Sequence, residues 1–418
     1  MSTVLLYTSP ARGHLYPMMD VALALRARGH RVVVQTLADE GAAVEAAGVE
    51  HRAIDPRIEA LPLEDWQGSN PLDAMRRTLA RWVQRAPFEV EDLRVSLAEV
   101  QPQALLLDVH AFGAAALAET TGLPWASHLP YVLPVPSRDA PAFGPGLPPP
   151  TGPLDRARDR LIWAVQGLAA KGPLAPLGAL RRSLGLPPLP SFVELFTRPP
   201  VLFHRSAEPF EYARTDWPDN HRPIGPGLWA PPAGAPPWLD HLPSPRTLVS
   251  VSTEHQDDAP IVQAAIAAFA DAPGATLITT AAQDPAAFTV PHERMRLTRF
   301  LSHAAVMDRI DLVVTHGGMG TTQRALAAGV PLVVVPWGRD QLETARRVER
   351  CEAGVMLPRG KLSARSLAEA AERARAMKPG AERVAAAFAA AGGAQEVVRW
   401  VEGLAPAAGT RVPTAPPA

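Results

Sequence analysis

Two short stretches carry residue types and spacings that could do chemistry. In the first, the apolar run Asp311-Leu312-Val313-Val314 leads into Thr315-His316-Gly317-Gly318-Met319-Gly320-Thr321-Thr322 and then into the helical pattern Gln323-Arg324-Ala325-Leu326-Ala327-Ala328. Glycines let backbone approach a ligand, and the unpaired N–H groups of a helix's first turn attract negative charge. The segment therefore suits a phosphate or diphosphate, although glycines would also serve a tight strand-to-helix connection alone. In the second, His14 lies in Ser9-Pro10-Ala11-Arg12-Gly13-His14-Leu15-Tyr16, after the apolar strand pattern Val4 to Thr8. Proline suits the first helical position, so a helix is expected from Pro17 to about Arg28. His14 would then sit beyond the carboxyl end of a first strand, where ligands gather in open α/β sheets. The positive end of the helix favours a neutral imidazole able to accept a proton. A histidine that only satisfies loop carbonyls is the plainer alternative. A diphosphate site paired with a proton acceptor points to group transfer from an activated phosphate ester.

The elements that must position these residues alternate between strand and helix patterns in both halves of the chain, the signature of parallel sheets covered by helices. Strands are expected near Val4 to Thr8, Arg31 to Thr36, Ala104 to Leu107 and Trp125 to His128, with helices around Glu40 to Ala47, Asp73 to Val100 and Phe112 to Thr121. From Pro130 to Pro153 the chain is rich in proline and glycine, which predicts a long ordered loop, and two helices follow at Leu154 to Leu168 and Leu174 to Leu184. Proline dominates again between Pro218 and Pro245. The pattern restarts with strands at Thr247 to Val251, Ala275 to Thr279, Met295 to Thr298, Leu312 to Val314 and Leu332 to Val335, and a helix at Pro260 to Ala270. The expected division is an N-terminal domain over 1–216, a proline-rich linker over 217–245, a C-terminal domain over 246–404 and a disordered tail over 405–418.

The 418 residues are 47% hydrophobic with a formal net charge of −1, enough for two filled cores and without the basic footprint that nucleic acid would need. Cys351 is the single cysteine, so there is neither a disulfide framework nor a thiol metal cluster. No apolar run approaches the roughly 20 residues of a membrane span, and the start shows no leader pattern. A cytoplasmic protein, monomeric or homodimeric and without stable membrane insertion, is expected.

Four segments together resemble family 1 glycosyltransferases of the GT-B fold, the bacterial macrolide and antibiotic type. They are His316-Gly317-Gly318-Met319-Gly320-Thr321-Thr322, Ala325-Leu326-Ala327-Ala328-Gly329-Val330-Pro331, Pro336-Trp337-Gly338-Arg339-Asp340-Gln341 and Ala345-Arg346-Arg347-Val348. The resemblance implies two Rossmann-like domains facing a cleft. It implies that His316, Gly318, Met319, Gly320 and Thr321 hold the diphosphate of a nucleotide-sugar, with Thr253 and Gly13 as further donor contacts. Asp340 and Gln341 would bind sugar hydroxyls, Phe300 would stack on the base, and Leu301 would offer backbone groups to its edge. His14 would be the general base and Asp108 the carboxylate that orients it, with His110 a lesser candidate. Three positions depart from the family pattern: Ser252 replaces a glycine, Trp337 replaces a common glutamine, and Arg324 replaces a glutamate that holds the ribose. An arginine accepts no hydrogen bond, which favours a deoxythymidine over a uridine nucleotide.

The expected activity is inverting transfer of a hexose from a UDP- or dTDP-sugar to a hydroxyl of a hydrophobic natural product, with no metal and no cofactor beyond that co-substrate. The loop Pro130 to Pro153 and the aromatics Trp66, Phe112, Tyr131, Phe143 and Trp163 suggest the apolar acceptor. Two alternatives remain open. One is a membrane-surface transferase on a lipid-linked or isoprenoid acceptor, using Arg156, Arg158, Arg160, Leu161, Ile162 and Trp163 as a basic apolar strip. The other is a non-catalytic nucleotide-sugar-binding partner of another enzyme.

Overall fold

The computed structural model describes residues 1–253 and 256–404; the expected tail over 405–418 lies outside the described residues. The first half builds β1 (Thr3–Tyr7), β2 (Arg31–Thr36), β3 (Glu50–Ala53), β4 (Ala104–Asp108), β5 (Trp125–Leu129), β6 (Leu202–His204) and β7 (His221–Pro223). They form one parallel sheet in the order β3-β2-β1-β4-β5-β6-β7. The second half builds β8 (Arg246–Ser250), β9 (Ala275–Thr279), β10 (Met295–Thr298), β11 (Leu312–Thr315), β12 (Leu332–Val334) and β13 (Gly354–Met356), again parallel, in the order β10-β9-β8-β11-β12-β13. Both orders reverse at the first strand, so each sheet has a switch point, between β1 and β4 and between β8 and β11, where ligands are held in doubly wound folds.

Continuous apolar runs form the central strands because helices cover both faces. Val4 and Leu6 pack under the helix Arg12–Ala27, while Leu5 and Tyr7 point to the other face and meet Val90, Leu93 and Leu97 of the helix Pro71–Val100. The second sheet repeats the arrangement, with Leu248, Val313 and Val334 on one face and Val249, Val314 and Val333 on the other.

Four expectations are corrected. The first helix begins at Arg12, not Pro17, so Pro17 lies inside it; the ring forfeits only the bond to the Gly13 carbonyl near the helix start, where a proline costs least. The two helices expected after the loop are one, Pro153–Ser183, carried through Pro173 and Pro176 because Ala170 and Leu177 bury against Leu79, Val83 and Ala86 of the long helix beside it. The linker expected to begin at 217 starts later, since β7 adds His221–Pro223 to the first sheet. Finally, the C-terminal domain does not keep all of 246–404. The helix Gln395–Glu402 returns to the first domain, where Val397, Val398 and Val401 join the core around Met18 and Leu25.

Candidate functional site

At the switch point of the first sheet, β1 feeds the helix Arg12–Ala27 and β4 ends on Asp108. His14 is therefore within the first turn of its helix, and its Nδ1 lies 2.5 Å from Asp108 Oδ2. The Asp108 side chain is fully buried and its other oxygen accepts from the His110 amide at 2.9 Å. A carboxylate fixed on both oxygens holds the proton on Nδ1 and leaves Nε2 with the lone pair, the tautomer a general base needs. Around this pair the structure gathers His110 and Tyr131, both candidates from the sequence, and Trp82, which no sequence pattern singled out. His110 stacks on Trp82 with ring centres 3.6 Å apart, and its Nε2 lies 2.8 Å from the Tyr131 hydroxyl. Burial pushes the His110 imidazolium well below its usual range, and burial together with the charges of Asp108 and Asp340 pushes the Tyr131 phenol well up. The pair is thus neutral and shares one hydrogen bond. Trp82 projects from the middle of a long helix and carried no motif.

At the second switch point, β11 ends at Thr315, the chain turns through His316 and Gly317, and Gly318 is the N-cap of the helix Met319–Ala327. This helix starts four residues earlier than the pattern from Gln323 suggested. Thr322 N to Gly318 O, at 3.0 Å, is its first bond, so the amides of Met319, Gly320 and Thr321 have no intrahelical partner. Gly317 has φ +101°, and a Cβ on Gly318 would lie 2.7 Å from His316 Nε2, so neither glycine has a substitute there. Above Gly320 the space is open. The His316 ring is buried, burial lowers its pKa, and its Nδ1 has no hydrogen-bond partner. Three amides without intrahelical partners beside the Nε2 side of a buried imidazole make an electropositive helix start of the kind that attracts anions.

The remaining donor candidates differ in their surroundings. Phe300 is 73% exposed, so it is not core, and with Leu301, Trp238, Pro236 and Thr298 it lines a cavity of about 430 Å³. Thr253 is exposed beyond β8. Gly13 faces open space. Ser252 donates its amide to Asp258 at 2.7 Å, and its hydroxyl accepts from Gln256, whose side-chain oxygen in turn accepts from Gln341 Nε2 at 2.7 Å. The Gln341 carbonyl already accepts from the amides of Trp337 and Gly338, at 2.7 and 3.0 Å. The carboxamide thus shapes its own loop, with one N–H beyond these bonds. Asp340 stands at the N-cap position of the helix Gln341–Arg350 without a side-chain capping bond and is close enough to His14 for the two charges to interact across the cleft, while burial raises its pKa. Arg324 points away from a ribose role, its guanidinium donating to the Trp229 carbonyl at 3.3 Å and feeling the charge of Asp20.

Of the aromatics expected to serve an acceptor, Tyr131 is at the His14 site and Phe143 is half-buried in the proline-rich loop. Phe112 is core, Trp163 stacks against Phe192, and Trp66 is half exposed.

Comparison with known proteins places this geometry. The family described as "Erythromycin biosynthesis protein CIII-like, C-terminal domain" matches residues 264–404. The 4'-demethylrebeccamycin synthase of Lentzea aerocolonigenes is 32% identical over 385 residues, covering 88% of this chain and 90% of the relative. The demethyllactenocin mycarosyltransferase of Streptomyces fradiae is 26% identical over 431 residues, covering 97% of this chain and 87% of the relative. Among solved structures, the glycosyltransferase VinC in complex with dTDP superposes with a TM-score of 0.70 at 22% identity, over 96% of this chain and 98% of that one. Two parallel Rossmann-like sheets, the glycine-capped helix and this similarity along nearly the whole chain have one consequence: the chain belongs to the family 1 glycosyltransferases of the GT-B fold, of the antibiotic-biosynthesis type.

Proposed function

We propose that the protein is an inverting glycosyltransferase that moves a hexose from a nucleotide diphosphate sugar to a hydroxyl of a hydrophobic natural-product aglycone. The observation that carries this is the pairing of His14 and Asp108 at one switch point with the free helix amides and the buried His316 ring at the other. His14 Nε2 takes the acceptor's hydroxyl proton as that oxygen bonds to the anomeric carbon. The bond from that carbon to the diphosphate oxygen breaks, and the electron pair leaves on the diphosphate. Backbone amides of Met319, Gly320 and Thr321 meet the leaving charge, and the buried His316 ring adds a donor. Asp340 and the remaining Gln341 N–H hold sugar hydroxyls, and Phe300 stacks on the base. Arg324 offers no acceptor to a ribose 2′-hydroxyl, which supports a deoxythymidine nucleotide, in line with the dTDP held by VinC.

His14, Asp108 and His110 also bring one ligand atom each within 4.8 Å of one another, a spacing that a divalent ion could bridge. On the reading proposed here those atoms hold protons. Transfer that persists in EDTA supports it, and transfer lost in EDTA and restored by zinc would reassign the cluster. The direct test is mass spectrometry of wild type and His14→Ala with dTDP- and UDP-hexoses and hydroxylated aglycones. A product one hexose heavier, absent with the variant, is expected; equal product from both would remove His14 from the mechanism.

One observation favours a membrane-surface acceptor as a second reading. Leu154, Leu161, Val165 and Leu168 are exposed along one stripe of the helix Pro153–Ser183, and Arg156 and Arg160 are exposed elsewhere on the same helix. Of the strip expected from sequence, Arg158 is instead paired with Asp155 and Asp159, and Ile162 and Trp163 are half-buried. No helix among the described residues is long and apolar enough to cross a membrane. Flotation with anionic but not neutral liposomes, lost in Leu161→Glu, would favour this reading.

A further inference from the structure

The helix Gln341–Arg350 begins at the proposed donor-sugar contacts, yet its first turns are engaged with the opposite half of the molecule. Glu343 is 1% exposed, and its Oε1 accepts from the amides of both Gly144 and Gly146 at 2.9 Å. Those glycines have φ +116° and +61°, a backbone geometry that turns successive amides toward one anion. Arg346 Nε donates to the Gly146 carbonyl at 2.9 Å. Gly146 is so close to the helix that a Cβ there would lie 2.7 Å from the Leu342 carbonyl oxygen. The other oxygen of Glu343 is held by Arg347 at 2.9 Å, and Arg347 grips Glu211 at 2.7 and 3.0 Å. At its far side the same loop is tied by Gln166 Nε2 to the Phe143 carbonyl at 2.7 Å. The loop over 136–152 thus runs from the wall holding Tyr131 to a seat on the helix that begins after Asp340.

We propose that Glu343 is a positioning residue that fixes this loop to the donor helix, so that the acceptor pocket and the donor-sugar contacts move as one body. This rests on the transferase function proposed above. A carboxylate that accepts two backbone amides forms charge-assisted bonds, and its removal leaves both amides unpaired inside the protein. The loop then leaves its seat and the acceptor loses one wall of its site, while the diphosphate contacts on the separate helix Met319–Ala327 stay as they were.

The test compares Glu343→Ala with two variants that spare the buried charges, Gly146→Ala and Arg346→Met. Expected for each are an acceptor KM raised about tenfold, a kcat and a dTDP Kd within about twofold of wild type, and faster chymotryptic cleavage after Phe143. An unchanged acceptor KM in both sparing variants overturns the proposal. So does a dTDP Kd that weakens in step with the acceptor KM, because Glu343 would then only stabilise its helix. A wild type that transfers no sugar defeats the transferase reading by itself; cleavage after Phe143 that is no faster in Gly146→Ala defeats the attachment of the loop.

Discussion

Arg339 closes on Asp65 through two parallel bonds, Nε to Oδ2 at 2.8 Å and Nη2 to Oδ1 at 2.9 Å, and so ties the residue before Asp340 to the opposite domain. Arg339 does this from a left-handed backbone, φ +54°, which costs a non-glycine residue about 1 kcal/mol. The pair spans the mouth of the cleft, between the loop after β12 and a single helical turn at Asp65–Gln67. Arg339→Met is expected to enlarge the radius of gyration in small-angle scattering, with a stability loss of about 1 kcal/mol at most because an opened cleft rehydrates Asp65. An unchanged radius would show that the domains hold together without this pair.

The His14 and Asp108 pair predicts unequal losses. His14→Ala should lower kcat by about 10²- to 10⁴-fold with dTDP affinity intact, since the general base is removed and the diphosphate site untouched. Asp108→Asn keeps the shape but can no longer stabilise an imidazolium, so a loss of similar order with the same nucleotide affinity is expected. Steady-state rates and calorimetric titration with dTDP check both; a variant that loses dTDP binding as well would place its residue in the fold of the cleft instead.

The nucleotide contacts give two more. Phe300→Ala should weaken dTDP binding by about tenfold, the worth of one stacked ring. Arg324→Glu supplies the acceptor that a ribose 2′-hydroxyl needs and should shift preference toward UDP by a similar factor. Comparable UDP and dTDP affinities in the wild type would remove the basis of the second.

Stability should peak between pH 6 and 7, on the order set by ordinary histidine titration. Burial lowers the imidazolium pKa of His110, His128, His204, His221, His303 and His316, to about 4 for His204 and His303. These groups stay neutral in the fold, so the unfolded chain binds more protons once the pH drops below the ordinary histidine range. Stability present above that range is then lost down to pH 4, at roughly 1 kcal/mol per pH unit for each histidine. Glu89 acts oppositely: burial pushes its carboxyl up to about 8, although it accepts from the Gly113 amide at 2.7 Å. Its contribution is complete below the ordinary carboxylate range and is lost as the pH rises to 8. Thermal unfolding across pH 4 to 8 should therefore fall on both sides, and Glu89→Gln should flatten the alkaline limb while steepening the acid limb above the ordinary carboxylate range, where Glu89 opposes the histidines.

The parts of the site that follow a strand were legible in the sequence. His14, Asp108 and His316 each stand at the end of an apolar run, and the structure puts all three at switch points. The start of the first helix was not, because Pro17 satisfies the rule for a first position as well as it tolerates the second turn. β7 was hidden by the prolines around it: at an edge, Pro223 needs no ladder donor. Asp65, Trp82 and Glu343 could not be found by pattern at all. Their partners, Arg339, His110 and the pair Gly144 and Gly146, are brought to them by tertiary folding, and no local period marks such pairs.

The return of the helix Gln395–Glu402 to the first domain means that the polypeptide passes between the two halves twice, once after β7 and again before Val397. A body hung on two straps swings about the line joining them and resists twisting across it, so the domains have one easy direction of movement. The same arrangement makes the N-terminal half a poor candidate for isolation. Cut after Pro223, it would lose the covering that Val397, Val398 and Val401 lay over Met18 and Leu25, and would present that apolar footprint to other chains.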